Sequence, residues 1–356
     1  MSEQDVAERN APEPADGQPD RSRAARIARA LSFRRISALY IFVVLFAVFS
    51  IWVPDTFLES GTWRSLLSTQ SLTAIVAIGL VIPVAAGAFD LAVGAEVGLG
   101  AILVAWLISS SGLSIGLAIV LALAGGAAIG LASGIAITRF RIDSFIATLG
   151  MSSVLLALIS WISGDQAILE LPQSFQNIAS NEFLGITYSV WIMLGVAAIV
   201  SYVLDFTSVG RWVYATGGNS EAARLAGIKT SVVVVGSLMA CGMIAGLAGV
   251  LNSATLGAGD PTIGPAYLLP AFSAVFLGST QFRDGRFNVW GTVVAAYVLA
   301  VGVKGLQLGG APTWVPDLFN GVALLVAVGL AQAQSRPGRR HPLMRMLRFR
   351  TRTEPS

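Results

Sequence analysis

The stretch QSLTAIVAIGLVIPVAAGAFDLAVGAEVGLGAILVAWLISS, residues 70–110, runs for 41 residues without a polar loop. One α-helix of that length would extend about 60 Å, whereas the hydrocarbon core of a bilayer is about 30 Å thick. The stretch therefore predicts two membrane-spanning helices that fold back around Asp90. The whole chain agrees with a membrane protein, since 54% of it is hydrophobic and 12% is charged, against about 25% charged in soluble domains.

Apolar segments of similar length recur along the chain, and they predict an all-α, polytopic membrane protein with about ten transmembrane helices. We place the segment at 268–280 among them, although it is short enough to be a broken or re-entrant helix. The ten predicted spans are 37–54, 70–89, 91–110, 114–137, 144–163, 188–205, 232–252, 268–280, 288–307 and 316–333.

The basic residues set the orientation of these spans, because Lys and Arg collect on the cytoplasmic side of a membrane protein. With ten spans, both tails and four loops share one side, and that side holds 21 of the 23 Lys and Arg residues. The largest loop on the other side, residues 164–187, carries three acids and no base. We therefore expect a multi-pass protein of the bacterial cytoplasmic membrane with both termini in the cytoplasm.

The two tails flank the membrane domain, which we assign to residues 37–333. Residues 1–36 are predicted to be a disordered cytoplasmic tail, and residues 334–356 a basic cytoplasmic tail that contains the single histidine, His341. Each tail adjoins a span, so attraction to anionic lipid explains its basic residues and no nucleic-acid partner is expected.

The composition excludes several kinds of chemistry. With one cysteine, Cys241, and one histidine, the chain cannot form an internal disulfide, a Cys/His metal cluster or a His-based triad in its body. The phosphate-binding pattern G-x-x-x-x-G-K-[ST] is absent from the sequence. We expect no enzyme activity, no cofactor and no metal, and energy must come from another polypeptide or from an ion gradient.

Glycines at every fourth position predict helices that pack closely in the membrane. Gly126, Gly130 and Gly134 form one such row, and Gly242 and Gly246 form another. A row of glycines lets two helix backbones approach each other within lipid. We expect a compact bundle.

The polar insert GRWVYATGGNSEAARLAGIK, residues 210–229, interrupts the apolar sequence on the cytoplasmic side. TGGN, residues 216–219, is typical of a turn, and Asn219 or Ser220 can cap a helix that ends near Gly227. A helix of about two turns is unstable alone. It must dock on something.

This insert resembles the cytoplasmic coupling segment of bacterial ABC-importer permeases of the ribose, xylose and galactose type. Three further stretches are similar in kind and order: GAFDLAVGA at 87–95, FRIDSFIATLGM at 140–151 and GTVVAAYVLAVGVKGLQLGG at 291–310. The resemblance covers roughly residues 37–333. The chain departs from the family at LGSTQFRDGRFNVWGT, residues 277–292, which lacks a glycine-rich pattern, and at Ala92, Ala95 and Lys304.

The resemblance implies the fold of a type II ABC-importer permease and three protein partners. These are a separate ABC ATPase subunit, a second permease subunit, identical or different, and an extracytoplasmic solute-binding protein, for which the loop 164–187 is a candidate docking surface. The solute would be a sugar or a related polyol, although amino-acid and nucleoside permeases share the architecture. The residues implied in coupling to the ATPase are Arg211, Gly217, Gly218, Asn219, Glu221, Ala222, Ala223, Arg224 and Gly227.

Three ionisable residues, Asp90, Glu96 and Lys304, lie at or near span interiors, where burial is costly and usually serves a function. They are candidates for the pathway or gate. Each also has a plain alternative: Asp90 at a cytoplasmic hairpin turn, Glu96 facing solvent or paired, and Lys304 extended to the headgroups. The same three charges, with Pro83 before Asp90, leave open an ion-coupled secondary transporter of a small polar solute.

Overall fold

The computed structural model describes residues 37–280 and 285–334, in which it contains fourteen α-helices and one two-stranded antiparallel sheet. In chain order the helices are α1 (Ser37–Trp52), α2 (Pro54–Phe57), α3 (Ser60–Ala85), α4 (Val93–Ser109), α5 (Ile115–Arg139), α6 (Ser144–Ser163), α7 (Gln173–Ser180), α8 (Tyr188–Phe206), α9 (Ser208–Gly218), α10 (Ser220–Leu225), α11 (Thr230–Leu256), α12 (Pro265–Ser279), α13 (Val289–Leu308) and α14 (Val315–Gln334). The strands are β1 (Glu182–Phe183) and β2 (Ile186–Thr187).

Six of these helices, α3, α5, α6, α8, α11 and α13, are long and apolar enough to cross a membrane. Four shorter apolar helices lie at the other predicted positions: Tyr40–Trp52 within α1, α4, α12, and Val315–Gly329 within α14. The all-α polytopic fold is confirmed, and the count of ten spans stays a prediction. The predictions for residues 1–36 and for the tail after residue 334 lie outside the described residues.

The predicted break in residues 70–110 is confirmed. Helix α3 ends at Ala85 and the chain turns through Gly87, whose φ is +83°. The amide of Ala88 donates to the carbonyl of Pro83 at 2.9 Å, and that of Gly87 donates to Val84 at 3.1 Å. This pair of bonds is the Schellman end of a helix, which uses the left-handed conformation that glycine adopts without strain. Helix α11 is nevertheless the most extensive neighbour of both α3 and α4, which contact each other at few positions.

The close packing predicted from the glycines is confirmed at the centre of the bundle, where α11 crosses α5 and α4. A Cβ added at Gly126 would overlap the carbonyl oxygen of Gly242, and one at Gly130 would overlap that of Leu238. Gly249 lies equally close to the backbone of α4. These contacts bring backbone against backbone, so they fix the relative positions of three helices.

Several predicted boundaries were wrong. Helix α3 begins at Ser60, ten residues before the predicted span. Helix α12 is continuous over Pro265–Ser279 despite Pro270 inside it, so the alternative of a broken helix was wrong, and a re-entrant helix stays a prediction. The loop 164–187 contains α7 and the β1–β2 hairpin, in which Glu182 pairs with Thr187.

Candidate functional site

The polar insert forms two helices where the sequence predicted a turn followed by one. Residues 216–218 complete α9, so the expected turn at TGGN was wrong except at Asn219. There the backbone is extended and the Asn219 side chain accepts a hydrogen bond from the amide of Ala222 at 3.0 Å, which caps α10 as predicted. The helix α10 ends at Leu225, and Gly227 has a φ of +87°, which confirms the predicted glycine stop.

Helix α9 is held against the membrane helices at three places. A Cβ added at Gly217 would overlap the carbonyl oxygen of Ala85, so the backbone of α9 lies directly on the end of α3. The hydroxyl of Tyr214 donates to the carbonyl of Phe287, just before α13, at 2.8 Å. The guanidinium of Arg286 lies 3.7 Å from the centre of the same ring. A displacement of α9 would therefore reach both α3 and α13.

Helix α10 projects from this anchored base. Glu221 and Arg224 form an ion pair of 2.8 Å, and their side chains are 73% and 68% exposed. Ala223 is buried at 5% and faces the rest of the molecule, whereas the neighbouring Leu225 is 81% exposed. Leu225 was not predicted from the sequence. A large apolar residue at the end of so short a helix was the feature that could have indicated a contact with a partner.

Three of the four quoted stretches meet beside this segment. A cavity of about 690 Å³ is lined by residues 86–88 after α3, by residues 142–144 before α6, and by residues 216–220. The hydroxyl of Thr148 accepts a hydrogen bond from the amide of Leu91 at 3.0 Å, and that of Ser144 accepts one from Phe89 at 3.3 Å. The start of α6 thus fixes the loop that carries Asp90. The sequence analysis assigned no role to Ser144 or Thr148, which stand four residues apart and share one helix face.

Asp90 and Glu96 lie in the protein interior, exposed by 0% and 1%. One oxygen of Asp90 accepts from the amide of Ala92 at 3.1 Å, but its other oxygen and both oxygens of Glu96 have no hydrogen-bond partner among the described residues. Asp90 lies in the turn between α3 and α4, as the hairpin alternative had it, although it is buried there. Glu96 neither faces solvent nor pairs with a described residue. No lysine or arginine in residues 37–280 or 285–334 forms an ion pair with them.

The third member of this buried group is Cys241 on α11. One ligand-type atom from each of Asp90, Glu96 and Cys241 lies within 4.8 Å of the others. Two carboxylates and a thiol are donors that a metal ion can use. No other His, Cys, Asp or Glu in the described part of the chain joins them. The expectation of no metal stays a prediction.

Lys304 is separate from this group. It lies on α13 beside residues 65–73, in the first half of α3, where it lines a second cavity of about 240 Å³. Asp90 follows the opposite end of the same helix. The structure therefore brings Asp90 and Glu96 together but not Lys304.

Comparison with known proteins agrees with this architecture. The family model described as the permease component of the branched-chain amino acid transport system matches residues 63–328. The L-arabinose ABC transporter permease protein AraH of Azospirillum brasilense is 30% identical, over 83% of this chain and 86% of its own length. The ribose import permease proteins RbsC of Escherichia coli K12 and Bacillus subtilis are 32% and 33% identical, over 82% and 83% of this chain and 91% of their own length.

No solved structure matches the chain. The family model covers most of the chain, and the relatives align over nearly their whole length. The chain therefore belongs to the family of bacterial ABC-importer permeases that includes these relatives, and it is a membrane transport component rather than an enzyme.

Proposed function

We propose that this chain is the pore-forming subunit of an ATP-driven importer that moves a sugar or a related polyol across the cytoplasmic membrane. The relatives named as ribose and arabinose permeases support the class of solute. A separate ATPase subunit supplies the energy and docks on the coupling segment, which we define as residues 210–229.

The observation that carries this proposal is the way the coupling segment is mounted. Its outer part presents the Glu221–Arg224 ion pair and the exposed Leu225, a mixed charged and apolar tip suited to a protein partner. Its inner part rests on Ala85 of α3 and on Phe287 before α13. An ATPase that holds the tip differently in two nucleotide states would bias two arrangements of those helices.

The remaining assignments complete the proposed importer. A second permease subunit pairs with this one, and a solute-binding protein docks on the loop 164–187. Both termini lie in the cytoplasm, with anionic lipid at the basic tails. Asp90, Glu96 and Lys304 contribute to the pathway or the gate.

The test is uptake of labelled sugars and polyols by cells that also carry the ATPase, with the double change Glu221→Arg/Arg224→Glu. The exchange keeps an ion pair within α10 but inverts the charge pattern that a partner meets, so we expect uptake to fall while the protein stays in the membrane. Glu59→Lys is the control. Glu59 is exposed and precedes the far end of α3, about 39 Å from Ala85 by the length of a 26-residue helix. Normal uptake by the double variant would refute the proposed coupling.

An ion-coupled transporter is the second candidate, favoured by the buried carboxyl groups of Asp90 and Glu96. Apart from the Asp90 oxygen that accepts from Ala92, their oxygens have no hydrogen-bond partner among the described residues. Buried acids at a helix break are typical of sites for coupling ions. The same cells separate the two functions. Uptake that survives an ionophore and fails in the double variant supports ATP-driven import, and the reverse result supports ion coupling.

A further inference from the structure

The second cavity, which Lys304 lines, has a largely polar wall although it lies among apolar helices. It lies between α3, α12, α13 and α14, and seven of its twelve lining residues are polar. On α3 the polar positions Ser65, Thr69 and Thr73 recur every fourth residue and therefore share one face. On α13 Lys304 and Gln307 are one turn apart. Polar stripes that face each other within a membrane bundle indicate a path or a binding site for a polar solute.

The polar side chains on this wall are free to bind. The seven are Ser65, Thr69, Gln70, Thr73, Lys304, Gln307 and Asn320. Within residues 37–280 and 285–334, none of these side chains makes a hydrogen bond or an ion pair with another residue. Thr73 and Asn320 are each 9% exposed, Gln70 and Lys304 are half-buried, and Ser65, Thr69 and Gln307 are exposed. Buried polar groups are normally paired, so Thr73, Asn320 and the half-buried Lys304 have hydrogen-bonding capacity that a bound molecule can use.

In the part of the chain that the structure describes, the wall of the cavity carries positive charge and no negative charge. Lys304 is the only charged residue among the described residues that line the cavity, and no acid lies there to neutralise it. The other polar groups are hydroxyls and amides, which donate and accept hydrogen bonds with hydroxylated solutes. The volume of about 240 Å³ is a little below the range of about 300–1,000 Å³ that is usual for small-molecule pockets. That is space for one small solute.

Resting on the proposed importer, we propose that this cavity is a solute site and that Lys304 selects a sugar acid, a polyhydroxylated solute with one carboxylate. One ammonium balances one carboxylate, whereas a phosphate would bring a second negative charge that no lining residue meets. The amides and hydroxyls on the facing helices bind the hydroxyl groups. Each neutral sugar lacks the group that would pair with Lys304, so it binds more weakly.

The test compares pairs of solutes that differ only in charge: glucuronate with glucose, and galacturonate with galactose. Uptake is measured for the complete importer, with its ATPase and binding protein, in wild type, Lys304→Gln and Lys304→Arg. Binding of the same solutes to the purified permease–ATPase complex is measured by thermal shift, which bypasses the selectivity of the binding protein. Arg139→Gln, which removes an exposed basic residue at the end of α5, outside both the cavity and the coupling segment, is the matched control.

We expect wild type to favour the acid of each pair, and Lys304→Gln to lose acid binding and uptake by roughly ten- to a hundredfold, the usual effect of one charge-assisted hydrogen bond. Neutral sugars should be unaffected by this change, and Lys304→Arg should retain the acid. Equal behaviour of acids and neutral sugars in wild type and Lys304→Gln would overturn the inference, and it would assign Lys304 to the lipid headgroups. In that case, uptake of the neutral sugars would still agree with the proposed function. Failure to take up any solute in the labelled sugar and polyol panel would refute the proposed function itself.

Discussion

Gly217 and Gly218 offer a direct test of how the coupling segment is connected to the membrane helices. Both residues are exposed glycines at the end of α9. A Cβ added at Gly217 would overlap the carbonyl oxygen of Ala85, whereas one at Gly218 would meet no atom within 4 Å. The variants Gly217→Ala and Gly218→Ala therefore make the same chemical change at adjacent positions in different surroundings.

The two variants should differ in stability because only the new Cβ of Gly217→Ala overlaps a backbone atom. A backbone oxygen cannot rotate away as a side chain can, so α9 must shift off the end of α3. Overpacking of this kind costs about 1–3 kcal/mol, partly offset because alanine favours a helix over glycine by up to about 1 kcal/mol. We expect Gly217→Ala to lose about 1–2 kcal/mol of stability, and Gly218→Ala to be neutral or slightly stabilised.

The assay measures thermal unfolding of each purified variant in detergent and solute uptake by the complete importer at matched membrane levels. Gly217→Ala should unfold at a lower temperature and lose uptake, because the tip of α10 moves relative to α3. Gly218→Ala should resemble wild type in both measurements. Equal effects of the two substitutions, or none at Gly217, would refute the idea that this contact transmits movement.

Three further changes test the packing and the buried polar groups. Gly130→Ala should destabilise the bundle by about 1–3 kcal/mol, because its Cβ would overlap the carbonyl of Leu238; Gly236→Ala, which meets nothing within 4 Å, should not. Glu96→Gln should stabilise the protein by up to about 3 kcal/mol, because it removes from the interior an ionisable group that has no hydrogen-bond partner among the described residues. Asn288→Ala should cost about 1–2 kcal/mol, because its side chain caps α13 by accepting from Gly291 at 2.7 Å.

Thermal unfolding in one detergent measures all three, with wild type in each series. Equal loss in Gly130→Ala and Gly236→Ala would contradict the close contact between α5 and α11. A less stable Glu96→Gln would mean that the carboxylate has a partner, such as a bound cation. Asn288→Asp keeps the acceptor of the cap but loses the donor to Gly278, at 3.2 Å in the structure, and should lie between Asn288→Ala and wild type.

Much of the fold follows from local composition. The length of the apolar stretch 70–110 exceeds the thickness of a bilayer, so the break near Asp90 is a consequence of length alone. The glycine rows predicted the close contacts of α5 with α11, since small residues at every fourth position have few other uses within lipid. The cap at Asn219 could be predicted because an Asn side chain accepts a hydrogen bond from a helix amide that is close by in the sequence.

Boundaries and partners were harder to predict because they depend on residues distant in the chain. The glycines of TGGN favour a turn, yet α9 continues to Gly218 because Gly217 packs on α3 and that contact outweighs local preference. For Glu96 the sequence left a place in the pathway or gate, exposure to solvent and pairing all open, and only the packing of α4 against α11 reveals that it is buried with Asp90 and Cys241.

The sequence by itself determined the membrane environment, the all-α class and the position of the polar insert along the chain, because each depends on hydrophobicity and charge counted along the sequence. The tertiary structure decided which faces meet. It separated Lys304 from the two buried acids and placed it opposite the polar stripe of α3. That arrangement joins residues more than 200 positions apart, and only the packing of whole helices brings them together.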